Sequence, residues 1–242
     1  METIIDIKDL KKNFKSNEVL KGLNLSVRKG ENLVVIGKSG EGKSVTLKCI
    51  TGLLTPDGGS VKVFDKEVTS LDEDELKDMR CRIGYLFQGS ALYDSMTVKE
   101  NLAFPLRRVL RVKDENEIEQ RSMQVLEAVG LNDTMNKMPA ELSGGMRKRL
   151  ALARTLIVHP EIILYDEPTT GLDTITSKEI SELILEMQKK YNTTSLIVTH
   201  DIPCAKMVSD RIIVMRDGKT VAEGKTTDLE NSGDAFIRSF FN

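Results

Sequence analysis

The eight residues Gly37-Lys38-Ser39-Gly40-Glu41-Gly42-Lys43-Ser44 follow the spacing G-x-x-x-x-G-K-[ST], between the apolar run Leu33-Val34-Val35-Ile36 and the segment Val45-Thr46-Leu47-Lys48-Cys49-Ile50. The loop therefore lies at a strand-to-helix turn, which is where such a loop must lie to work. Its glycines let backbone N–H groups close around phosphate oxygens without Cβ clashes, and the N-terminus of the following helix adds partial positive charge. The spacing puts the Lys43 ammonium within reach of β- and γ-phosphates and lets the Ser44 hydroxyl ligate Mg2+. A glycine-rich turn is the plainer reading of the same letters, and it leaves the flanking strand and helix without a purpose.

A second piece of chemistry stands at Ile162-Ile163-Leu164-Tyr165-Asp166-Glu167. Two adjacent carboxylates at the C-terminal edge of a buried strand occupy the place where open α/β sheets bind ligands. Asp166 would hold Mg2+ through water, and Glu167 would polarise an attacking water; a polar turn after a strand is the alternative. A third piece is Glu141-Leu142-Ser143-Gly144-Gly145-Met146, which leads into Arg147-Lys148-Arg149-Leu150-Ala151-Leu152-Ala153-Arg154. Ser143, Gly144 and Gly145 open a basic amphipathic helix and form a second anion cradle. One chain seldom needs two, so the second would serve the nucleotide of a partner copy. A serine N-cap followed by Arg147, Lys148 and Arg149 on a solvated face accounts for these letters too.

The rest of the chain falls into three zones. Residues 2–8 and 19–27 alternate apolar and polar as half-buried antiparallel strands do, and Val61-Lys62-Val63-Phe64 continues the pattern beyond a turn at Pro56-Asp57-Gly58-Gly59. From about Asp72 to Leu142 the chain is charged and helical in period, with Ile118, Val125, Leu126 and Val129 on one face and Gly130 as a C-cap. The last zone returns to apolar runs at 161–165 and 195–199, typical of parallel strands buried on both faces, and ends in a hairpin over Asp217-Gly218. Among 242 residues, 35 are basic and 37 acidic, a net charge of −2, so no global field draws the chain to nucleic acid. Cys49, Cys81 and Cys204 show no paired spacing, which fits a reducing compartment. With neither a leader pattern nor an apolar stretch of about 18 residues, the expected location is cytoplasmic, with membrane contact only through a partner.

Taken in order, these motifs resemble the ATP-binding subunit of ABC transporters, and the resemblance covers nearly the whole chain. Phe14 stands in the place of the adenine-stacking aromatic, residues 37–44 with Val45 in that of Walker A, and Gln88 in that of the Q-loop glutamine. Residues 142–145 match the LSGG signature, 162–166 Walker B with Glu167 after it, Asp173 the D-loop, and His200 the switch histidine. The resemblance implies an α/β fold: a RecA-like P-loop core with an N-terminal antiparallel β sub-domain. Residues 1–242 would form one ATPase domain, and about 89–160 an inserted helical sub-domain. It also implies ATP and Mg2+ as cofactors. Glu167, His200 and Gln88 would be the catalytic residues, and Ser44, Gln88 and Asp166 the metal ligands. The nucleotide would be held by Phe14, Gly37, Lys38, Ser39, Gly40, Glu41, Gly42, Lys43, Ser44, Val45, Ser143, Gly144, Gly145 and Asp173. The implied partners are a second copy of the chain and an integral-membrane permease on whose cytoplasmic face it sits.

Taken singly, Phe14 also reads as a packed core aromatic, Gln88 as a turn residue in Tyr85-Leu86-Phe87-Gln88-Gly89, where a strand ends in a glycine turn, and His200 as a structural histidine, while His159 reads as a surface residue. Met146 replaces the usual glutamine of the signature, and Thr170-Gly171-Leu172-Asp173 replaces the commoner Ser-Ala-Leu-Asp. With 87–98 and Asn101-Leu102-Ala103-Phe104-Pro105-Leu106, these departures look like the Mla/Mce branch, which implies lipid traffic between membranes and an MCE-type lipid-binding subunit. An importer of amino acids or other solutes, and a non-transport ABC ATPase, are the competing readings.

Overall fold

The computed structural model describes residues 2–241; Met1 and Asn242, the ends of the expected 1–242 domain, lie outside the described residues. Two sheets carry the architecture. The first is antiparallel, in the order β2-β1-β4-β5, from β1 (Thr3–Phe14), β2 (Asn17–Arg28), β4 (Gly58–Val63) and β5 (Lys66–Glu67). Ile5, Ile7, Leu10, Leu20, Leu23, Leu25, Val27, Val61 and Val63 turn to one buried face, as the alternation requires. Both long strands run past the ends that alternation marks. The polar tail of β1 pairs Lys11 with Lys21 and Phe14 with Asn17, so backbone pairing rather than burial extends it. The turn expected at 56–59 is shorter than its letters suggest, because Gly58 already pairs with Lys11.

The second sheet is the core, in the order β10-β9-β3-β8-β7-β6. Its strands are β3 (Asn32–Ile36), β6 (Ile83–Leu86), β7 (Ile162–Asp166), β8 (Thr194–Thr199), β9 (Arg211–Arg216) and β10 (Lys219–Gly224), all parallel except the β9–β10 hairpin. Its side chains alternate between two cores. Val34, Ile36, Ile163, Tyr165, Ile197 and Val214 face one way, toward α3 (Val98–Arg108), α4 (Glu115–Ala128), α5 (Gly144–Leu156), α6 (Thr174–Tyr191) and α7 (Ile202–Val208). Leu33, Val35, Ile162, Leu164, Leu196, Val198 and Met215 face the other way, toward the antiparallel sheet and α1 (Lys43–Ile50). The charged stretch 72–142 is not wholly helical. After α2 (Glu73–Cys81) it supplies β6, the edge strand of the core sheet, before α3 and α4 begin. A four-residue strand between helices is too short for its period to show. Two short C-terminal helices, α8 (Thr226–Glu230) and α9 (Ala235–Arg238), close the chain.

A buried ion pair fastens the two sheets together. Arg211, at the start of β9, forks onto Glu31 with Nε to Oε1 at 2.7 Å and Nη2 to Oε2 at 2.9 Å, and it also donates to the Ser26 carbonyl of β2 and to Glu223 of β10. Both side chains of the fork are about nine-tenths buried. Burial alone pushes the Glu31 carboxyl up, but hydrogen bonds from Arg211 and the Arg28 amide, with the Arg211 charge, outweigh it and leave its pKa below the ordinary value. Arg211→Met strands the carboxylate and is expected to cost about 3–5 kcal/mol, read as a lower urea midpoint at pH 7. A carboxylate with a depressed folded pKa contributes stability that is complete above its unfolded value of about 4.3 and is lost as pH falls through the folded one. The midpoint gap between wild type and Arg211→Met is therefore expected to narrow below about pH 4.3; a gap that widens on acidification contradicts the assignment.

Candidate active site

The loop after β3 ends on Gly42, whose φ of 98° is left-handed and whose Cβ, were there one, would fall 2.7 Å from Leu20 Cδ2. Glycine alone meets both demands. Gly42 is also the N-cap of α1, which has no side-chain cap and no acidic residue in its first turn. The opening N–H groups of α1 are thus left to an anion. Lys38, Ser39 and Gly40 are exposed, Glu41, Ser44 and Val45 are half-buried, and Gly37, Gly42 and Lys43 are buried. The Lys43 ammonium curls back over its own loop, donating to the carbonyls of Gly37 at 2.7 Å and Lys38 at 3.1 Å, with Glu167 Oε1 at 3.5 Å.

Across the loop lies the C-terminal edge of β7. Ser44 Oγ donates to Asp166 Oδ1 at 2.6 Å, and the Tyr85 hydroxyl of β6 donates to Oδ2 at 3.1 Å. Burial, then the Asp166 charge, raises the Tyr85 pKa far above its ordinary value, so this phenol is a permanent donor. Glu167 sits in the left-handed region at φ 51°, a conformation costing on the order of 1–3 kcal/mol. It is held there by its own amide on the Val198 carbonyl and by His200, whose Nδ1 lies 2.8 Å and backbone N 3.2 Å from Glu167 Oε2. An ionised carboxylate only accepts, so the Nδ1 carries the proton. Residues read separately from the sequence, Lys43, Ser44, Asp166, Glu167 and His200, form one connected cluster.

The remaining assigned residues stand around it. Phe14 is 43% exposed at the end of β1 with Lys12 Nζ 5.7 Å from its ring, so it is not a core aromatic. Gln88 is exposed just beyond β6. Ser143 caps α5 through Met146 N at 3.3 Å, and Gly144 and Gly145 form its first turn against the D-loop and α6. A Cβ on Gly145 would fall 2.6 Å from Thr176 Cγ2. Asp173 caps α6, accepting from Thr176 Oγ1 at 2.7 Å and from the Ile175 and Thr176 amides at 3.0 Å each, bonds that lower its pKa. The two cradles stand on separately packed helices: α1 packs on β2, β4, β7 and β8, whereas α5 packs on β6, α3, α4 and α6.

Two polar residues near the site escaped the motif reading. One is Tyr85. The other is Lys148, whose place in the basic run suggested a solvated face; it is instead 5% exposed and donates to the Gln88 carbonyl, with Arg154 of the same helix donating to the Ser90 and Ala91 carbonyls. Burial lowers the Lys148 pKa against the opposing pull of Asp166 and Glu167. Its phase was legible, since 148, 151, 152 and 155 share the buried side of α5.

No group of three or more His, Cys, Asp or Glu side chains that would hold a metal by themselves occurs among the described residues. The hydroxyl of Ser44, the carboxylate of Asp166 and the amide of Gln88 are hard oxygen donors, suited to a Mg2+ that brings phosphate oxygens and water as its other ligands.

The ABC transporter family profile matches residues 20–170. The chain belongs to that family. It is an ATP hydrolase, with ATP and Mg2+ as its cofactors. Among its relatives, the methionine import ATP-binding protein MetN 2 of Bacillus cereus (strain ZK / E33L) is 40% identical over 232 residues, 94% of this chain and 68% of that protein. The probable ribonucleotide transport ATP-binding protein mkl of Mycobacterium leprae is 39% identical over 242 residues, 100% and 70% of the two chains. Protein TRIGALACTOSYLDIACYLGLYCEROL 3, chloroplastic, of Arabidopsis thaliana is 38% identical over 255 residues, 99% and 73%. Among solved structures, the dimeric post-hydrolysis state of the ATP-binding cassette MJ0796 bound to ADP and Pi superposes with a TM-score of 0.84 at 35% identity, covering 92% of this chain and 98% of that one. The expected RecA-like α/β core with its antiparallel β sheet is the fold of this family.

Proposed function

We propose that two copies of this ATPase close around two Mg-ATP, each held between one copy's 37–44 loop and the other's residues 143–145, and that closure drives a membrane permease that moves phospholipid or related lipid. The observation that carries the dimer is the pair of cradles on separate parts of one chain, the second of which has no nucleotide of its own to serve. The dimeric MJ0796 cassettes support it. No helix among the described residues is long and apolar enough to cross a membrane; in this reading a separate permease supplies the pathway. The chain would sit on the cytoplasmic face of the cell membrane, docked through the region around 88–106 of a helical sub-domain at about 89–160.

The roles rest on the geometry of the cluster. Phe14 stacks on adenine. The amides of 37–45 and the Lys43 ammonium hold the phosphates, while Ser44, Asp166 and Gln88 ligate the metal. Bound Mg2+ supplies neutralisation of charge on the phosphate oxygens. A phosphate oxygen competes with Glu167 for the Lys43 ammonium, 3.5 Å away, and drawing Lys43 off frees the carboxylate to take a proton from water. His200 orients that carboxylate and reaches the γ-phosphate, and Asp173 meets the partner copy beside Ser143. Because the γ-phosphate touches both copies, its loss removes contacts available only to the closed state.

The lipid reading is supported by the Met146, Thr170 and 87–106 segments and by alignment over 99% of the chain to a relative named for a galactolipid. Methionine import is the second reading, favoured by the MetN relative at 40% identity.

Glu167→Gln is expected to keep ATP affinity and lose turnover about 10²–10⁴-fold. Lys43→Ala is expected to weaken ATP binding itself about 10- to 100-fold, the worth of a charged hydrogen bond of about 1.5–3 kcal/mol. Wild-type turnover in the first, or undiminished affinity in the second, overturns the role assigned. For the substrate, the tagged protein is solubilised gently from its native membranes and its companions identified by mass spectrometry. A permease with an MCE-type subunit and bound phospholipid is expected; a permease with a soluble amino-acid-binding protein selects the importer, and no membrane partner at all contradicts transport.

A further inference from the structure

We propose that Tyr85 is a positioning residue for the metal carboxylate, fixing the orientation in which Asp166 would hold Mg2+ and its water; this rests on the nucleotide-site reading above. Asp166 is only 6% exposed, so each of its oxygens needs a partner. Oδ1 takes the Ser44 hydroxyl at 2.6 Å, and Oδ2 takes the Tyr85 hydroxyl at 3.1 Å. Ser44 is itself assigned to the metal, so the tyrosine is the partner of Asp166 that has no other duty at the site. Carboxylates that ligate metals are oriented by hydrogen bonds of this kind, and losing one lowers metal affinity about 10- to 100-fold.

The placement of the ring adds a second consequence. Tyr85 lies on β6, paired in parallel with β7 so that it stands opposite Leu164, two residues before Asp166. Its ring stacks on Phe87 with centroids 4.1 Å apart and planes 24° apart, and Phe87 adjoins Gln88. The same aromatic stack therefore joins the carboxylate ligand to the loop that carries the amide ligand. Phe87 itself is 36% exposed. Loop and carboxylate are set together by Tyr85 rather than separately.

Tyr85→Phe removes the hydroxyl and keeps the stack, which makes it the clean probe. Calorimetric titration of adenylyl imidodiphosphate into wild type and variant is carried out once in EDTA and once with MgCl2, alongside thermal unfolding without nucleotide. The expected result is unchanged affinity in EDTA, a melting temperature a few degrees lower because Asp166 Oδ2 loses its partner, and a loss of about tenfold or more in the affinity gained from Mg2+. Tyr85→Leu, which also removes the stack, is expected to lose that gain too and to melt lower. A Tyr85→Phe protein that keeps the full gain, or that loses affinity equally with and without metal, overturns the role of the hydroxyl while the nucleotide site stands. A wild-type protein whose affinity does not respond to Mg2+ overturns the metal-site reading and this proposal with it.

Discussion

The parallel pairing of β3, β8 and β7 is the constraint on which the rest of the molecule depends. Ile36 stands opposite Thr199, and Val198 opposite Asp166, so all three strands end at one edge. Each strand hands over there to a reactive segment: β3 to the 37–44 loop, β7 to Glu167 and β8 to His200. Parallel strands need helical crossovers, and those crossovers bury both faces of the sheet. The edge is the one place where backbone groups and charged side chains can gather without filling the core. A register slip of one residue in any strand would turn Asp166 or Lys43 away from its partners.

Within that edge, charges are held in mutual check. Lys43 leans toward Glu167, Glu167 bonds His200, and Ser44 and Tyr85 share Asp166. Lys43 and Ser44 each have a protein partner that a phosphate or a metal can replace with a stronger one. In the proposed mechanism substrate binding is thereby tied to release of Glu167, whose left-handed backbone sets where its carboxylate stands. The signature helix α5 adds a mechanical tie, since Lys148 and Arg154 grip the backbone of 88–91.

The parts of this arrangement that sequence made legible are those with a strong local pattern. The Gly42-Lys43-Ser44 turn, the buried runs of β7 and β8, and the Asp217-Gly218 hairpin each emerge from spacing alone, and the family resemblance supplied their joint purpose. The polar half of β1 was invisible because its partner is backbone and not core. β6 showed only as a strand end before the Gln88 turn, since four residues among charged helices are too few for a period to mark its extent. Tyr85 and Lys148 were missed for another reason: a lone hydroxyl in a strand and a lysine within a basic run both read as ordinary until their depth is known. Lys148 alone carried a usable signal, its phase with Ala151, Leu152 and Thr155 on α5.

The central claim is that the active site is completed by a second copy, and oligomeric mass tests it directly. Glu167→Gln protein is passed over a sizing column with light scattering, with and without Mg-ATP, beside the double variant Ser143→Arg, Glu167→Gln. The single variant is expected to be a monomer that becomes a dimer only with Mg-ATP, and the double variant to bind nucleotide yet stay monomeric. A Glu167→Gln protein that binds Mg-ATP without changing mass, or a dimer indifferent to Ser143, contradicts the claim.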